Sequence, residues 1–312
     1  MQSIIDAESS LGVSRAAHPI WFITGSSRGF GRALASAALE AGDSVVATAR
    51  RTEELAPLVE KYLERVFPVT LDVTDPAQAK AAIEAAVGRF GRIDVLVNNA
   101  GYANVAPIET ASDEDFRRQF ETNFWGVYNV SKAALPVLKK QQTGTIVQFS
   151  SIGGRVGGNA GLGSYQAAKF AVDGLTRVLA AETTPLGVRC LTVEPGGFAT
   201  DWAGPSMEVH GIPAEYESTV GAVARHLRTD AVRAGDPNRA AEILVRLVKR
   251  SHLPTHLVLG AGAINLVQEH STRQIVELEA WREVGVSADY GRPYPVEFPL
   301  DTPHRDKSRA GA

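Results

Sequence analysis

The sequence predicts a doubly wound α/β fold, a single domain on a parallel sheet of about seven strands with helices on both faces. Short β-branched apolar runs alternate along the chain with longer segments of helical periodicity. Those runs are continuously apolar, as strands covered on both faces must be. The chain also has 312 residues, 44% of them hydrophobic, enough for one large core.

Residues 1–18 read as a flexible leader ending before Pro19. The strand signals then fall at 20–24, 44–48, 66–71, 93–97, 145–150, 188–193 and 256–259. Helical periodicity fills 29–41, 52–64, 75–89, 112–140, 164–185, 237–250 and 263–283. Such βαβ repetition builds a parallel sheet. The stretch 197–236 breaks the rhythm with Pro205 and Pro213, and Pro237 follows it. The predicted catalytic domain covers 19–285, and the tail 286–312, rich in proline and charge, reads as irregular.

A net charge of -3 gives no sign of a nucleic-acid or anionic-membrane partner, which calls for a clustered basic surface. The single cysteine, Cys190, allows no intrachain disulfide and sits in a strand-like apolar run as a small core residue. No apolar stretch is long enough to span a bilayer, and no signal pattern opens the chain. The expectation is a cytoplasmic protein.

Directly after the first strand comes Thr24-Gly25-Ser26-Ser27-Arg28-Gly29-Phe30-Gly31, and then a helix begins. Glycines in that turn let backbone approach a pyrophosphate, and the helix N-terminus supplies free N–H groups and a favourable dipole. The spacing is G-x-x-x-G-x-G, not the commoner G-x-G-x-x-G. The same residues also match the G-x-S-x-G elbow of hydrolases, with Ser27 as nucleophile. That elbow normally follows several strands, and no histidine here sits in a context that marks it as a partner.

Tyr165-Gln166-Ala167-Ala168-Lys169 puts a phenol and an amine one helical turn apart. A free tyrosine has a pKa of about 10. An adjacent ammonium stabilises the phenolate, so the expectation is a lowered pKa and a general acid–base pair. Tyr128-Asn129-Val130-Ser131-Lys132 matches the same spacing. Only Tyr165 opens a helix just past a strand ending in Ser150-Ser151, at the sheet edge where ligands bind.

Taken together these motifs give a chain that resembles the short-chain dehydrogenase/reductase family, of the NADP-preferring type, over about 19–285. The resemblance implies a Rossmann-like fold and a nicotinamide cofactor. Thr24 to Gly31 matches the family's glycine motif, placing Gly25, Ser27, Arg28, Gly29, Phe30 and Gly31 at the cofactor. Asp72, with Val73, follows the third strand where the family contacts adenine. Asn98-Asn99-Ala100-Gly101 matches the segment ending the fourth strand. Asn123 aligns with a catalytic asparagine, and Ser151, Tyr165 and Lys169 complete a tetrad. Pro195, Gly196, Phe198 and Thr200 match the segment at the nicotinamide end. Ser151 to Tyr165 is one step longer than usual, which the glycine-rich loop 153–161 can absorb.

By resemblance, Ser151 donates to the substrate oxygen and Tyr165 exchanges its proton. Lys169 binds the nicotinamide ribose, and Asn123 holds a water leading to solvent. An NAD site would end the second strand with an acid. Here that strand runs into Ala49-Arg50-Arg51. Arg50 and Arg28 suit a ribose phosphate, so NADP(H) is expected and Arg51 reads as a bystander.

The family carries its substrate lid at 197–236. Phe198, Trp202, Met207, Val209, Ile212 and Tyr216 lie there, either lining a cleft for a mainly hydrophobic ketone, aldehyde or secondary alcohol or packing the lid down. Glu208 and His210 lie among them, and Tyr102 and Arg155 could border the same cleft. A homodimer or homotetramer through 112–140 and 164–185 is expected from the family. Two other readings stay open. One is a nonenzymatic NADP-binding regulator on the same fold, though such proteins often lose the tyrosine or lysine. The other is an epimerase or dehydratase, which usually needs a larger C-terminal domain.

Overall fold

The computed structural model describes residues 18–203, 207–229 and 233–299. The leader expected at 1–18 falls outside the described residues except for His18, and so does the tail from 300 onward. The chain divides into two compact units, one ending at Ile264 and the other beginning at Asn265.

The first unit is built on seven parallel strands: β1 (Ile20–Ile23), β2 (Ser44–Ala49), β3 (Val66–Thr70), β4 (Val95–Asn98), β6 (Gly144–Phe149), β7 (Val188–Pro195) and β9 (His256–Leu259). Their order across the sheet is β3-β2-β1-β4-β6-β7-β9. The chain winds outward from β1 to β3, then returns to the other side of β1 with β4. That reversal opens a crevice past the strand ends between β1 and β4, the usual ligand position in such sheets.

Strand alternation sends successive side chains to opposite faces. Trp21, Ile23, Val45, Val97 and Val147 join one apolar cluster, closed by Leu34 and Leu39 of α1 (Gly29–Glu40), Leu58 of α2 (Ala56–Tyr62) and Leu244 of a late helix. Phe22, Val46, Leu96 and Ile146 join the other, beneath Ile83 of α3 (Pro76–Phe90) and Val130 and Leu138 of a long helix. All these side chains are buried, so the central strands read as largely apolar sequence, with Thr145 and Gln148 of β6 as buried polar exceptions.

Helix α3 shows how local sequence fixes bounds. Asp75 caps its N-terminus through Ala77 N (2.8 Å) and Gln78 N (3.1 Å), Pro76 starts it, and Gly91 ends it in the left-handed region at φ 78. The predicted helix over 112–140 is three pieces: α4 (Asp113–Phe120), a π turn (Glu121–Trp125) and α5 (Gly126–Gln141). Side-chain periodicity does not reveal a π turn, because it adds one residue without breaking the helix. Helix α6 (Gly163–Thr183) follows β6.

A second sheet went unpredicted. β5 (Ala103–Val105) pairs in parallel with β8 (Met207–Val209), fixing the lid segment to the residues after β4. Three-residue strands are too short to show alternation. A small cluster of Val105, Leu162, Val220, Ala224 and Leu227 lies beneath, the last three from the lid, where α7 (Ala222–His226) runs. Trp202, Met207, Val209, Ile212 and Tyr216 pack against it. Of the two readings of the lid's apolar residues, packing describes these contacts. The lid then enters α8 (Pro237–Val248), capped by Asp236.

Fully buried Asp43 joins three elements: it accepts from Trp21 Nε1 at 3.0 Å and pairs with Lys249 Nζ at 2.8 Å. The second unit holds most of α9 (Ala261–Ala280), then α10 (Arg282–Val286) and an irregular stretch to 299. Within it the Phe298 ring packs on Trp281, 5.9 Å between centroids.

Candidate active site

The glycine turn after β1 and the segment after β4 are built against each other. Thr24 Oγ1 accepts from the backbone N–H of Asn99 (2.9 Å) and Ala100 (3.0 Å). The Asn99 side chain donates to Thr24 O (3.0 Å) and Gly25 O (3.2 Å). Asn99 thus shapes the turn with its amide. Gly31 is the tightest position: a Cβ there would lie 2.1 Å from Gly25 O. Gly25 and Gly29 take φ +66 and +55, which L side chains rarely adopt. The result is bare backbone at the start of α1, a fit for a pyrophosphate. A cavity of about 530 Å³ borders this turn, lined by Gly29, Arg32, Ser36, Thr200 and Arg233 among others.

Around it stand the other expected cofactor residues. The Phe30 ring packs on Phe149 (5.4 Å) and Phe198 (4.9 Å), so both phenylalanines form a wall. Asp72 accepts from Thr74 N (3.0 Å) and Thr74 Oγ1 (2.8 Å), and Val73 is buried behind it. Pro195 ends β7, Gly196 N donates to Leu259 O (2.9 Å), and Thr200 N donates to Phe198 O (2.8 Å). Arg28 and Arg50 are exposed and form no salt bridge among the described residues, while Arg51 is paired with Glu54.

The four expected catalytic residues come from three places. Ser151 follows β6 and its Oγ accepts from Gly153 N (3.1 Å), capping a short 3-10 turn. Its hydroxyl proton remains available to another acceptor. Ser150 is a structural tie, donating to the Lys169 carbonyl at 3.1 Å. Tyr165 and Lys169 lie on the buried face of α6, at 6% and 4% exposure. Lys169 Nζ donates to Phe149 O at 2.8 Å and lies 5.8 Å from the centre of the Tyr165 ring.

Asn123 comes from the π turn. Its Nδ2 donates to Tyr102 O (3.0 Å) and Gln119 O (3.2 Å), which settles which way the amide faces. Its Oδ1 is buried and meets no donor among the described residues. A Cβ on Gly101 would lie 2.6 Å from that oxygen and 3.5 Å from Lys169 Nζ. Both polar atoms therefore lie close against the bare backbone of Gly101.

The expected lowering of the Tyr165 pKa is not what this geometry gives. Burial pushes the phenol up to about 12, only partly countered by the Ser151 hydroxyl and the Trp202 indole N–H. Burial also pushes Lys169 down to about 8. The ammonium lies over the ring and is bonded to a carbonyl, so it does little for the phenol oxygen. Desolvation decides both values.

The competing pair is informative. Lys132 Nζ reaches Tyr128 Oη at 3.3 Å, on α5, with Lys132 exposed. Spacing makes both pairs neighbours, and burial adds to position in separating them. Sequence reasoning gave Trp202 the two lid readings, cleft lining or packing, and no contact with Tyr165, yet its ring tilts against Tyr165 with centroids 5.3 Å apart. No motif marks such a contact. Arg155 does not reach toward the lid: it donates to both carboxylate oxygens of fully buried Glu194 (3.3 and 3.1 Å).

A parallel sheet with a glycine cradle at its switch point and a buried tyrosine–lysine pair beside it defines a nucleotide-dependent oxidoreductase. The short chain dehydrogenase family profile matches residues 19–209. Oxidoreductase BOA17 of Botryotinia fuckeliana is 46% identical over 271 residues, covering 86% of this chain and 98% of that protein. A short-chain dehydrogenase from Streptomyces avermitilis superposes with a TM-score of 0.83 at 35% identity, covering 88% of this chain and all of that one. A 3-ketoacyl-(acyl-carrier-protein) reductase from Brucella melitensis, complexed with NADH, superposes at 0.68 with 25% identity, covering 80% and 99%. The chain belongs to the short-chain dehydrogenase/reductase family.

Proposed function

We propose that this oxidoreductase uses NADP(H) to interconvert a ketone or aldehyde and its alcohol, with Asn123, Ser151, Tyr165 and Lys169 as its catalytic residues. One observation carries the reading. Tyr165 and Lys169 are buried together, and the orphaned Oδ1 of Asn123 lies with Lys169 Nζ beside Gly101. A water bonded to both would satisfy that oxygen and give a route for protons to the lysine.

When bound, the nicotinamide supplies or accepts the hydride. In reduction Ser151 and Tyr165 donate hydrogen bonds to the carbonyl oxygen and hold it in place. Tyr165, kept neutral by burial, gives that oxygen its proton as the hydride arrives at carbon. Lys169, with a pKa near neutrality, passes a proton back to Tyr165 and is recharged through the water at Asn123. Lys169 also has its ammonium available for the ribose hydroxyls.

The cradle of Gly25, Gly29 and Gly31 receives the pyrophosphate. The unpaired guanidinium groups of Arg28 and Arg50 support choice of NADP(H) over NAD(H), since no acid follows β2 to bind both ribose hydroxyls. The substrate is a mainly hydrophobic carbonyl compound or secondary alcohol, a reading supported by Trp202, whose ring lies against Tyr165 and packs on the apolar lid cluster. Homo-oligomer formation through α4, α5 and α6 belongs to the same reading, supported by exposed Trp125, Phe170 and Val178.

The test is a panel of ketones, aldehydes and secondary alcohols followed by NADPH absorbance, with NADH in parallel. NADPH-dependent turnover that Tyr165→Phe abolishes is expected. Turnover unchanged in that variant refutes the mechanism, and equal efficiency with NADH refutes the cofactor choice.

A further inference from the structure

Ser151 heads a turn that is pressed against α6. Gly154 N donates to Ser151 O at 2.9 Å and Val156 N to Ile152 O at 2.9 Å, so backbone bonds close the turn. A Cβ on Gly154 would lie 2.5 Å from Ser150 Oγ and 2.7 Å from Lys169 Cβ, so the turn rests on α6 at the lysine itself. Arg155 leaves this turn and donates through Nη1 to both carboxylate oxygens of Glu194, at 3.3 and 3.1 Å. Glu194 is fully buried in β7, directly before Pro195 and Gly196. Carboxylate and ring atoms of Glu194, His256 and Asp173 lie within 4.8 Å of one another. His256 Nε2, from β9, is 2.6 Å from Asp173 Oδ1, one turn beyond Lys169 on α6. Asp173 also accepts from Arg177 Nε at 2.9 Å. This chain of polar groups ties the Ser151 turn, β7, β9 and α6 together.

Such a pair is a poor source of stability. Taking a carboxylate out of water is costly, and apolar residues of similar volume often hold a fold as well or better. What a charge-assisted pair supplies is a fixed direction and length. Here it anchors Arg155, four residues after Ser151, to a strand of the central sheet. We propose that Arg155 and Glu194 are positioning residues that hold the Ser151 hydroxyl in register with Tyr165 through this turn, without touching substrate or cofactor themselves. A misplacement of about 1 Å in such a contact can cost about 10²-fold in rate.

This inference rests on the carbonyl-reductase reading and is tested so that the two fail separately. Arg155→Met and Glu194→Gln should each lower kcat by about tenfold or more with KM nearly unchanged, and Arg155→Lys should recover part of the loss. Ser151→Ala supplies the reference background. Because Arg155 acts through Ser151, adding Arg155→Met to Ser151→Ala should cost little more. Equal losses in the two backgrounds overturn the proposal. The double variant Arg155→Met with Glu194→Leu removes the stranded carboxylate, and should regain the thermal midpoint but not kcat. Recovery of both makes the pair merely structural and overturns the proposal too. Amide hydrogen exchange at 153–156 reads the turn without turnover, and should quicken in Arg155→Met while β1 keeps its protection. If Ser151→Ala turns over as fast as wild type, the catalytic reading fails, and exchange still judges the positioning: unchanged exchange at 153–156 overturns it. Should Arg155→Met alone not fold, the double variant carries the same comparisons.

Discussion

The Lys169 ammonium lies 5.8 Å from the centre of the Tyr165 ring and donates at 2.8 Å to the Phe149 carbonyl, not to the phenol. The two groups are joined by shared burial more than by a direct bond. Burial raises the tyrosine and lowers the lysine, bringing the lysine to about 8 and the tyrosine to about 12. Tyr165→Phe removes the proton and leaves the ring. It should lower kcat by about 10²–10⁴-fold with little change in thermal midpoint, measured by steady-state kinetics and calorimetry on one preparation.

Lys169 gives a pH signature in the protein without cofactor. Its native pKa, about 8, lies below the ordinary lysine value of 10.5, so the unfolded chain binds more protons between those limits. Stability therefore gains as pH rises from about 8 to about 10.5, and the penalty for burying the ammonium is complete below 8. Lys169→Met lacks this contribution. The difference in unfolding free energy between wild type and variant should shift toward the wild type across that window. A difference that stays flat with pH contradicts the burial argument.

Arg28 and Arg50 make the cofactor prediction specific. Neither forms a salt bridge among the described residues, though Arg28 lies near enough to help lower the Glu54 pKa, whereas Arg51 bonds Glu54 directly. Arg50→Ala and Arg28→Ala should each cost about tenfold in kcat/KM with NADPH, about 1.4 kcal/mol, and little with NADH. Arg51→Ala should leave both nearly unchanged. If Arg51 proves to be the sensitive position, the arginines have been read in the wrong order.

Arg155 and Glu194 predict an effect on stability. Glu194 is fully buried, and burial raises its pKa against the pull of Arg155. Arg155→Met leaves that carboxylate with only His256 nearby, at a cost of about 2 kcal/mol, less than for a fully buried pair because the Arg155 side chain is 31% exposed. Without its partner Glu194 keeps its proton to higher pH in the folded state. The stability of the variant is then retained below the unfolded pKa of a glutamate and lost as pH rises. Unfolding midpoints at pH 5 and pH 8 decide this, with the larger loss expected at pH 8.

Much of the fold was legible in sequence because both faces of the sheet are covered. Phe22, Val46 and Leu96 point one way and Trp21, Val45 and Val97 the other, and all are buried. That leaves unbroken apolar runs. The seven strands follow, with ends displaced by a residue or two. The pair β5 and β8 was invisible, since three residues carry no period and their partners lie about a hundred positions apart. The π turn at Asn123 was also invisible, because inserting one residue into a helix leaves its composition helical.

By itself the sequence determined the chemistry available: a glycine turn, Asn123, Ser151, Tyr165 and Lys169 in order, and two arginines where an acid would otherwise stand. Those are facts of residue type and spacing, which a chain states directly. Spacing alone does not decide between Tyr165–Lys169 and Tyr128–Lys132, which both become neighbours on a helix; in the sequence only the place of Tyr165 after Ser150-Ser151 sets it apart. The tertiary structure separated them by burying one pair and leaving the lysine of the other exposed. It also reversed the expected shift of the tyrosine, because desolvation depends on what surrounds a group in space. The contact of Trp202 with Tyr165 has the same origin, arising where a lid folds over a helix far from it in sequence.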